Sequence, residues 1–276
     1  MTIMVAASVC TAPVCVGAPA PQHVMSLNLC TDQLLLDMVP PQRIASLTFL
    51  ARSPSDAVHW REAATIAVNR GYAEEVLASK PDLVLAGTYT TAGTRQVLKQ
   101  LGVPLVEVPP ASNFDEIRIV TRQVAQALGE SAAGEKLLAR MDATLSALEL
   151  ERSERIITVA GWNGSGAVPG KGTLFDAILT AAGAVNIAAT MHGIRSGSFD
   201  IEELLIARPD VLAYGAGNGA PALREDSDQH PLILRLYQHR RVAYPEALYS
   251  CGIPEAADAA VALRASLLAA MGNSTR

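Results

Sequence analysis

Apolar residues in this chain fall into two kinds of stretch. Short, mostly apolar runs without helical period read as buried strands: HVMSLNL (23–29), RIASLTF (43–49), LVLA (83–86), PLVEV (104–108), IITVA (156–160), VLAY (211–214) and RVAY (241–244). Between them lie stretches with a helical stripe. The clearest has apolar residues at 114, 117, 120, 124 and 128, and Gly129 breaks it. Thr31 to Met38, Glu74 to Ser79, Thr94 to Leu101, Leu174 to Ala182, Ile201 to Ala207 and Pro254 to Met271 read as further helices. Residues 51–72 read as a surface segment with a short helix. All-apolar strands alternating with helices predict α/β architecture, with mostly parallel sheets covered on both faces.

One helix stands apart. From Ser131 to about Glu151 apolar positions recur at 137, 138, 141, 145 and 148. A helix of that length spans about 30 Å, the width of a small domain. It predicts a rigid spacer between two similar halves.

The halves also share a phrase. EVLASKPDLVLAG (75–87) returns as ELLIARPDVLAYG (203–215), and Glu74 has its counterpart in Glu202. Each copy reads as a short helix, a Pro-Asp stop and a buried strand. The residue before Pro is pushed out of the helical region, which ends the helix.

Composition narrows the function. Of 276 residues half are hydrophobic and the net charge is −5, with no basic run to neutralise phosphates. Nucleic acid is excluded as a partner on that ground. No stretch of 18 consecutive apolar residues predicts a membrane span. The first charged residue is Asp32, and the start is apolar and small up to Ala18-Pro19-Ala20. Residues 1–22 therefore read as a secretory leader, although the basic n-region is missing. Export would remove Cys10 and Cys15 and leave Cys30 and Cys251, which an oxidising compartment allows to pair. At 221 residues apart, the sequence leaves them free, paired or metal-binding.

Catalytic motifs fail on inspection. In GSGAVPGKGT (164–173), Gly170-Lys171 is followed by Gly172 where a phosphate loop needs Ser or Thr, and the upstream Gly is Ser165. There is no nucleophile elbow, no CxxC and no pair of histidines at metal spacing; His23, His59, His192, His230 and His239 are scattered. The residues point to a binding protein and not an enzyme. A metal-binding or redox enzyme built on Cys30 and Cys251 is the alternative.

The opening strand–helix SLNLCTDQLLLDM, the E-x5-(K/R)-P-D element in each half and the long middle helix resemble class III periplasmic substrate-binding proteins. These serve ABC importers of vitamin B12, haem and ferric siderophores. The resemblance covers about residues 23–270. It implies two three-layer α/β lobes, 23–130 and 154–276, joined by one rigid helix at 131–153. It implies a periplasmic monomer that delivers a small-molecule ligand to a permease with two-fold symmetric membrane subunits. In vitamin-B12-binding members one Glu per lobe, seven residues before the Pro of the repeat, docks on permease arginines. Glu74 and Glu202 hold those positions here, and carboxylate–Arg pairing is strong and directional. The ligand is expected between the lobes, at the C-terminal ends of the strands. That selects Asn28 and Cys30, Trp60 with Arg70 and Tyr72, Thr88 and Tyr89, Trp162 and Asn163, Arg195, and Tyr249 with Cys251. Trp and Tyr faces suit a planar macrocycle, and Arg70 and Arg195 suit its carboxylates. The expected ligand is a metal chelate: a corrinoid first, from the positional matches, then a ferric siderophore or haem. Cys30 and Cys251 depart from the family pattern. Both are expected to face the cleft, as packed thiols, as a redox-sensitive pair or as thiolate ligands of a soft metal.

Overall fold

The computed structural model describes residues 19–88, 90–151, 155–162, 167–190, 196–198, 201–215 and 230–273. The first half runs β1 (Val24–Ser26), α1 (Leu29–Met38), β2 (Ile44–Thr48), β3 (Val68–Asn69), α2 (Ala73–Ser79), β4 (Leu83–Gly87), α3 (Ala92–Gln100), β5 (Leu105–Val108) and α4 (Phe114–Leu128). The long helix α5 follows (Ser131–Leu150). The second half runs β6 (Ile157–Gly161), β7 (Ala167–Pro169), α6 (Leu174–Ala181), β8 (Ala184–Asn186), α7 (Ile187–Thr190), β9 (Ser196–Ser198), α8 (Ile201–Ala207), β10 (Val211–Gly215), α9 (Pro231–Tyr237), β11 (Arg241–Tyr244), α10 (Ala247–Ser250) and α11 (Ala256–Asn273).

The first sheet has the order β3-β2-β1-β4-β5 and the second β11-β10-β6-β8, every neighbour parallel. Read from the other edge, the second becomes β8-β6-β10-β11. That matches β2-β1-β4-β5 strand for strand, with β4 and β10 as the two copies of the repeat. The short pair β7 and β9 is antiparallel and forms an addition of its own.

Side chains alternate between the faces of each strand, and the core follows that alternation. Val24, Leu85, Val159 and Val211 join one continuous core with α1, α4, α5, α6 and α11. Met25, Val84 and Ala86 face the other way, onto Val76 of α2 and Leu98 of α3. Ala160, Trp162 and Leu212 pack outward on Ala188, Leu204, Ile233 and Tyr237. Each lobe is thus a helix–sheet–helix sandwich, and the inner layers of the two merge. Along α5 the packing on α4 is close: a Cβ on Gly134 would stand 2.5 Å from that of Ala125. It also packs against α11 and α6.

The repeat has a structural reason. Lys80 and Arg208 are the non-glycine residues with positive φ among those described, at 50° and 47°. Each donates its N–H back to the helix, to Val76 O and Leu204 O, both at 3.0 Å. The residue before Pro therefore ends each helix in a left-handed turn and not in the extended form that sequence suggests. The Asp after each Pro then ties down the first strand of its own sheet. Asp82 accepts the N–H groups of Gln22 and His23, at 2.6 and 3.0 Å. Asp210 accepts the N–H and hydroxyl of Thr158, both at 2.9 Å. Repeat and first strand lock each other in both lobes.

The first strand is shorter than its apolar run suggests. Asn28 interrupts it by capping α1, its side chain accepting from Cys30 N at 3.0 Å and Thr31 N at 3.4 Å. Strands β3, β7, β8 and β9 and helix α9 have no counterpart in the sequence reading; they are short or follow no clean period. Residues 1–18 of the expected leader lie outside the described residues. Pro21 and Gln22 are tied to the fold, Pro21 O accepting from Arg43 Nε at 2.8 Å. Among the described residues no helix is long and apolar enough to cross a membrane.

Candidate functional site

Parallel strands deliver their C-terminal loops to one end of each sheet, and open α/β sheets bind ligands there. From the first lobe come Asn28, Cys30, Thr31 and Leu34 after β1, Gly87 and Thr88 after β4, and Val108 to Ala111 after β5. From the second come Leu174, Tyr249, Ser250 and Gly252. Together they line a cleft of about 310 Å³.

Two glycines make the geometry work. A Cβ on Gly87 would stand 2.6 Å from the Asn28 amide, so glycine lets the capping side chain lie over the end of β4. A Cβ on Gly252 would stand 2.1 Å from the Ala111 carbonyl oxygen. The two lobes therefore meet backbone to backbone beside the cleft. The same segment is joined covalently: Cys30 and Cys251 form a disulfide, with Cα atoms 5.2 Å apart. Cys251 is buried and Cys30 lines the cleft.

The cleft walls are mostly apolar, from Leu34, Val108, Pro109, Pro110, Ala111, Val120 and Leu174, and among the described residues no charged side chain lines it. Aromatic rings back the second lobe's wall. Tyr244 and Tyr249 lie 4.4 Å apart between centroids, with Phe175 at 5.4 and 5.9 Å. Burial pushes the Tyr244 phenol up to about 12, and raises Tyr249 further. The Tyr249 hydroxyl is buried without a hydrogen-bond partner. Beneath the first lobe's wall, Asp32 on α1 accepts from Thr48 N at 3.1 Å. Burial pushes its carboxyl up to about 7, outweighing hydrogen bonds from Ser26 and Thr48. The arrangement can hold a ligand with a broad apolar face. Among the described residues it presents no nucleophile paired with a base.

The expected site residues divide by position. Asn28, Cys30, Thr88 and Tyr249 are in the lining. Arg70 and Tyr72 are exposed beyond the C-terminal end of β3, where the Arg70 guanidinium lies 5.9 Å from the ring of exposed Phe49. Trp60 is half-buried under the Arg61 guanidinium, 4.4 Å from its ring centre, and is outside the lining. Trp162 is corrected: at 2 % exposure it fills the outer core of the second lobe, since the residue just after β6 packs with the outward-facing Ala160 and not toward the cleft. The reading of Cys30 and Cys251 as thiolate metal ligands is also corrected, because two sulfurs bonded to each other have no thiolate to offer. Glu74 and Glu202 are exposed in the first turns of α2 and α8. Tyr89, Asn163 and Arg195 lie outside the described residues. Sequence reasoning missed Leu34, Gly87, Val108 to Ala111, Val120 and Leu174. Most are apolar and were assigned to core, and the one available signal was Pro109-Pro110 directly after a strand.

A family model described as periplasmic binding protein matches residues 27–232. The chain belongs to that family. Comparison with curated proteins by sequence finds no match. Among solved structures, the fold is similar to the periplasmic heme-binding protein RhuT from Roseiflexus sp. RS-1 in apo form. That pair is 23% identical at a TM-score of 0.75, covering 90% of this chain and 98% of that one. The periplasmic vitamin B12 binding protein BtuF of Vibrio cholerae is 17% identical at 0.68, covering 91% and 98%. An ABC-type Fe3+-hydroxamate transport system protein from Saccharomonospora viridis DSM 43017 is 18% identical at 0.68, covering 90% and 93%.

Proposed function

We propose that this periplasmic binding protein captures a metal chelate in the inter-lobe cleft and hands it to an ABC permease. The observation that carries the reading is the cleft itself: uncharged among the described residues, mostly apolar and lined by both lobes. Such a wall suits the face of a tetrapyrrole-like or hydroxamate-wrapped metal, whose charged substituents stay in water. Relatives in fold are named for haem, vitamin B12 and ferric hydroxamate. A corrinoid is the first expectation, because Glu74 and Glu202 hold the docking positions of vitamin-B12-binding members. A ferric siderophore or haem comes next. The protein acts as a monomer, exported to the periplasm, with one exposed Glu per lobe meeting arginines of a two-fold symmetric permease.

The test is titration of the purified protein with cyanocobalamin, haemin and a ferric hydroxamate, followed by difference absorption. One of the three should saturate at 1:1 with a Kd of about 1 μM or tighter, some −8 kcal/mol. No saturable binding of any would reject the chelate reading.

A further inference from the structure

Away from the cleft, three groups that bind metals converge where the lobes meet. Asp37 stands in the last turn of α1, His59 in the segment after β2, and Glu255 directly before α11. One ligand atom from each, two carboxylate oxygens and an imidazole nitrogen, lies within 4.8 Å of the others. Atoms that close have a common centre within about 2.8 Å of each. Bonds of about 2.1 Å to an ion there need movements of under about 1 Å.

The hydrogen bonding around these groups is incomplete. Asp37 Oδ2, His59 Nε2 and Glu255 Oε2 are all buried without a hydrogen-bond partner. His59 Nε2 stands 3.1 Å from Asp37 Oδ1 without hydrogen-bond alignment. The Glu255 side chain is 7% exposed, and its other oxygen, Oε1, is taken by the Arg140 guanidinium from α5. His59 is held in place through its backbone, whose N–H donates to Gln33 Oε1 at 2.8 Å. Buried carboxylate oxygens without a donor are costly, and here two of them share a site with an imidazole nitrogen already drawn to 3.1 Å from the Asp37 carboxylate. An ion pair between His59 and the two acids is the competing account. The His59–Asp37 contact at 3.1 Å satisfies part of it, but it leaves Asp37 Oδ2 and Glu255 Oε2 buried without a donor.

We propose that Asp37, His59 and Glu255 bind one divalent ion of the zinc class, which staples α11 to the first lobe. One nitrogen and two oxygens suit Zn²⁺ or Co²⁺, with water completing the shell. Mg²⁺ prefers an all-oxygen octahedron and is disfavoured by the imidazole.

The experiment uses the full chain freed of metal by chelator, titrated with Zn²⁺ and separately with Co²⁺. One equivalent of Zn²⁺ should bind and raise the melting temperature, Mg²⁺ should do neither, and Co²⁺ should show the visible absorption of a four- or five-coordinate site. His59→Gln keeps a polar group of similar size, and with Glu255→Gln should weaken Zn²⁺ binding by a hundredfold or more. Loss of the Co²⁺ spectrum in His59→Gln alone gives a readout that does not depend on the double variant folding. Absence of Zn²⁺ and Co²⁺ binding at millimolar metal would overturn the proposal, as would a Co²⁺ spectrum unchanged in His59→Gln.

Discussion

Removing the disulfide should weaken the fold more than any single packing change in the cleft. Cys30 and Cys251 close a loop of 221 residues. Closure of that length removes about 5 kcal/mol of chain entropy from the unfolded state at 25 °C, at the upper end of what native disulfides contribute. The effect has a second source. The bond sits where Gly252 meets Ala111, and the inner helical layers of both lobes form one core, so losing it loosens a shared boundary. The perturbation is Cys30→Ala with Cys251→Ala; alanine avoids placing a hydroxyl in the buried Cys251 position. With a urea slope of about 3 kcal/mol/M for a chain this size, the midpoint should fall by roughly 1.5 M. Reduced wild type should match the variant. Peptide masses after alkylation of unfolded, unreduced protein should show both cysteines blocked. Superimposable urea curves for variant and oxidised wild type would refute the reasoning, and so would free alkylation of both thiols.

Three further outcomes are expected. Charge reversal of Glu74 and Glu202 together should abolish uptake through the cognate permease and leave ligand affinity within about twofold, since the proposed role of these exposed carboxylates is to pair with permease arginines; retained uptake would sink the docking role. Asp32 should make the protein less stable as pH rises: a carboxyl at about 7 when folded, against about 3.9 unfolded, contributes fully below pH 4 and loses that contribution as pH passes through 7. At ~1.4 kcal/mol per pH unit the loss is up to about 4 kcal/mol, so Asp32→Asn should flatten the fall in urea midpoint between pH 5 and pH 8, and an equally steep fall in the variant would count against the buried carboxyl. Gly252→Ala should destabilise by about 2 kcal/mol or more, because the new Cβ meets the Ala111 carbonyl at 2.1 Å and neither backbone can yield; an unchanged midpoint would mean the lobes do not approach so closely.

The sequence carried the architecture because periodicity reports what each segment buries. The runs at 83–86 and 211–214 are solid with apolar residues, and both lie in parallel strands. The stripe through Phe114 to Leu128 places Ile117, Val120, Val124 and Leu128 in the core, as the helical period predicts. Short elements escaped because two or three residues cannot show a period, as with Val68–Asn69. The cleft was half legible. Asn28 and Thr88 are polar residues just past strand ends and Tyr249 is an aromatic residue in α10; the family resemblance made them visible. Leu34, Val120 and Leu174 look like core in any sequence, and only the tertiary structure turns one face of each toward a cavity. Trp162 failed for the opposite reason: its type suggested a stacking platform, while the strand's alternation sends it outward.

The same limit explains why His59 escaped notice. Metal-ligand spacing is visible in sequence when one element supplies two ligands. Here each ligand comes from a different part of the chain, and Glu255 is separated from Asp37 by the whole second sheet. Three devices then act on one boundary: the Cys30–Cys251 bond, the Gly252–Ala111 backbone contact and the cluster of Asp37, His59 and Glu255. With the proposed ion bound, the boundary would be joined at three points, which favours a cleft of fixed width. A preformed cleft saves the ligand the cost of ordering its walls. On the proposed function, such a cleft would select by the match of an apolar face to its walls. Ligand choice therefore rests on the lining residues that the two lobes do not share, namely Pro109, Pro110 and Ala111 on one side and Leu174 and Tyr249 on the other.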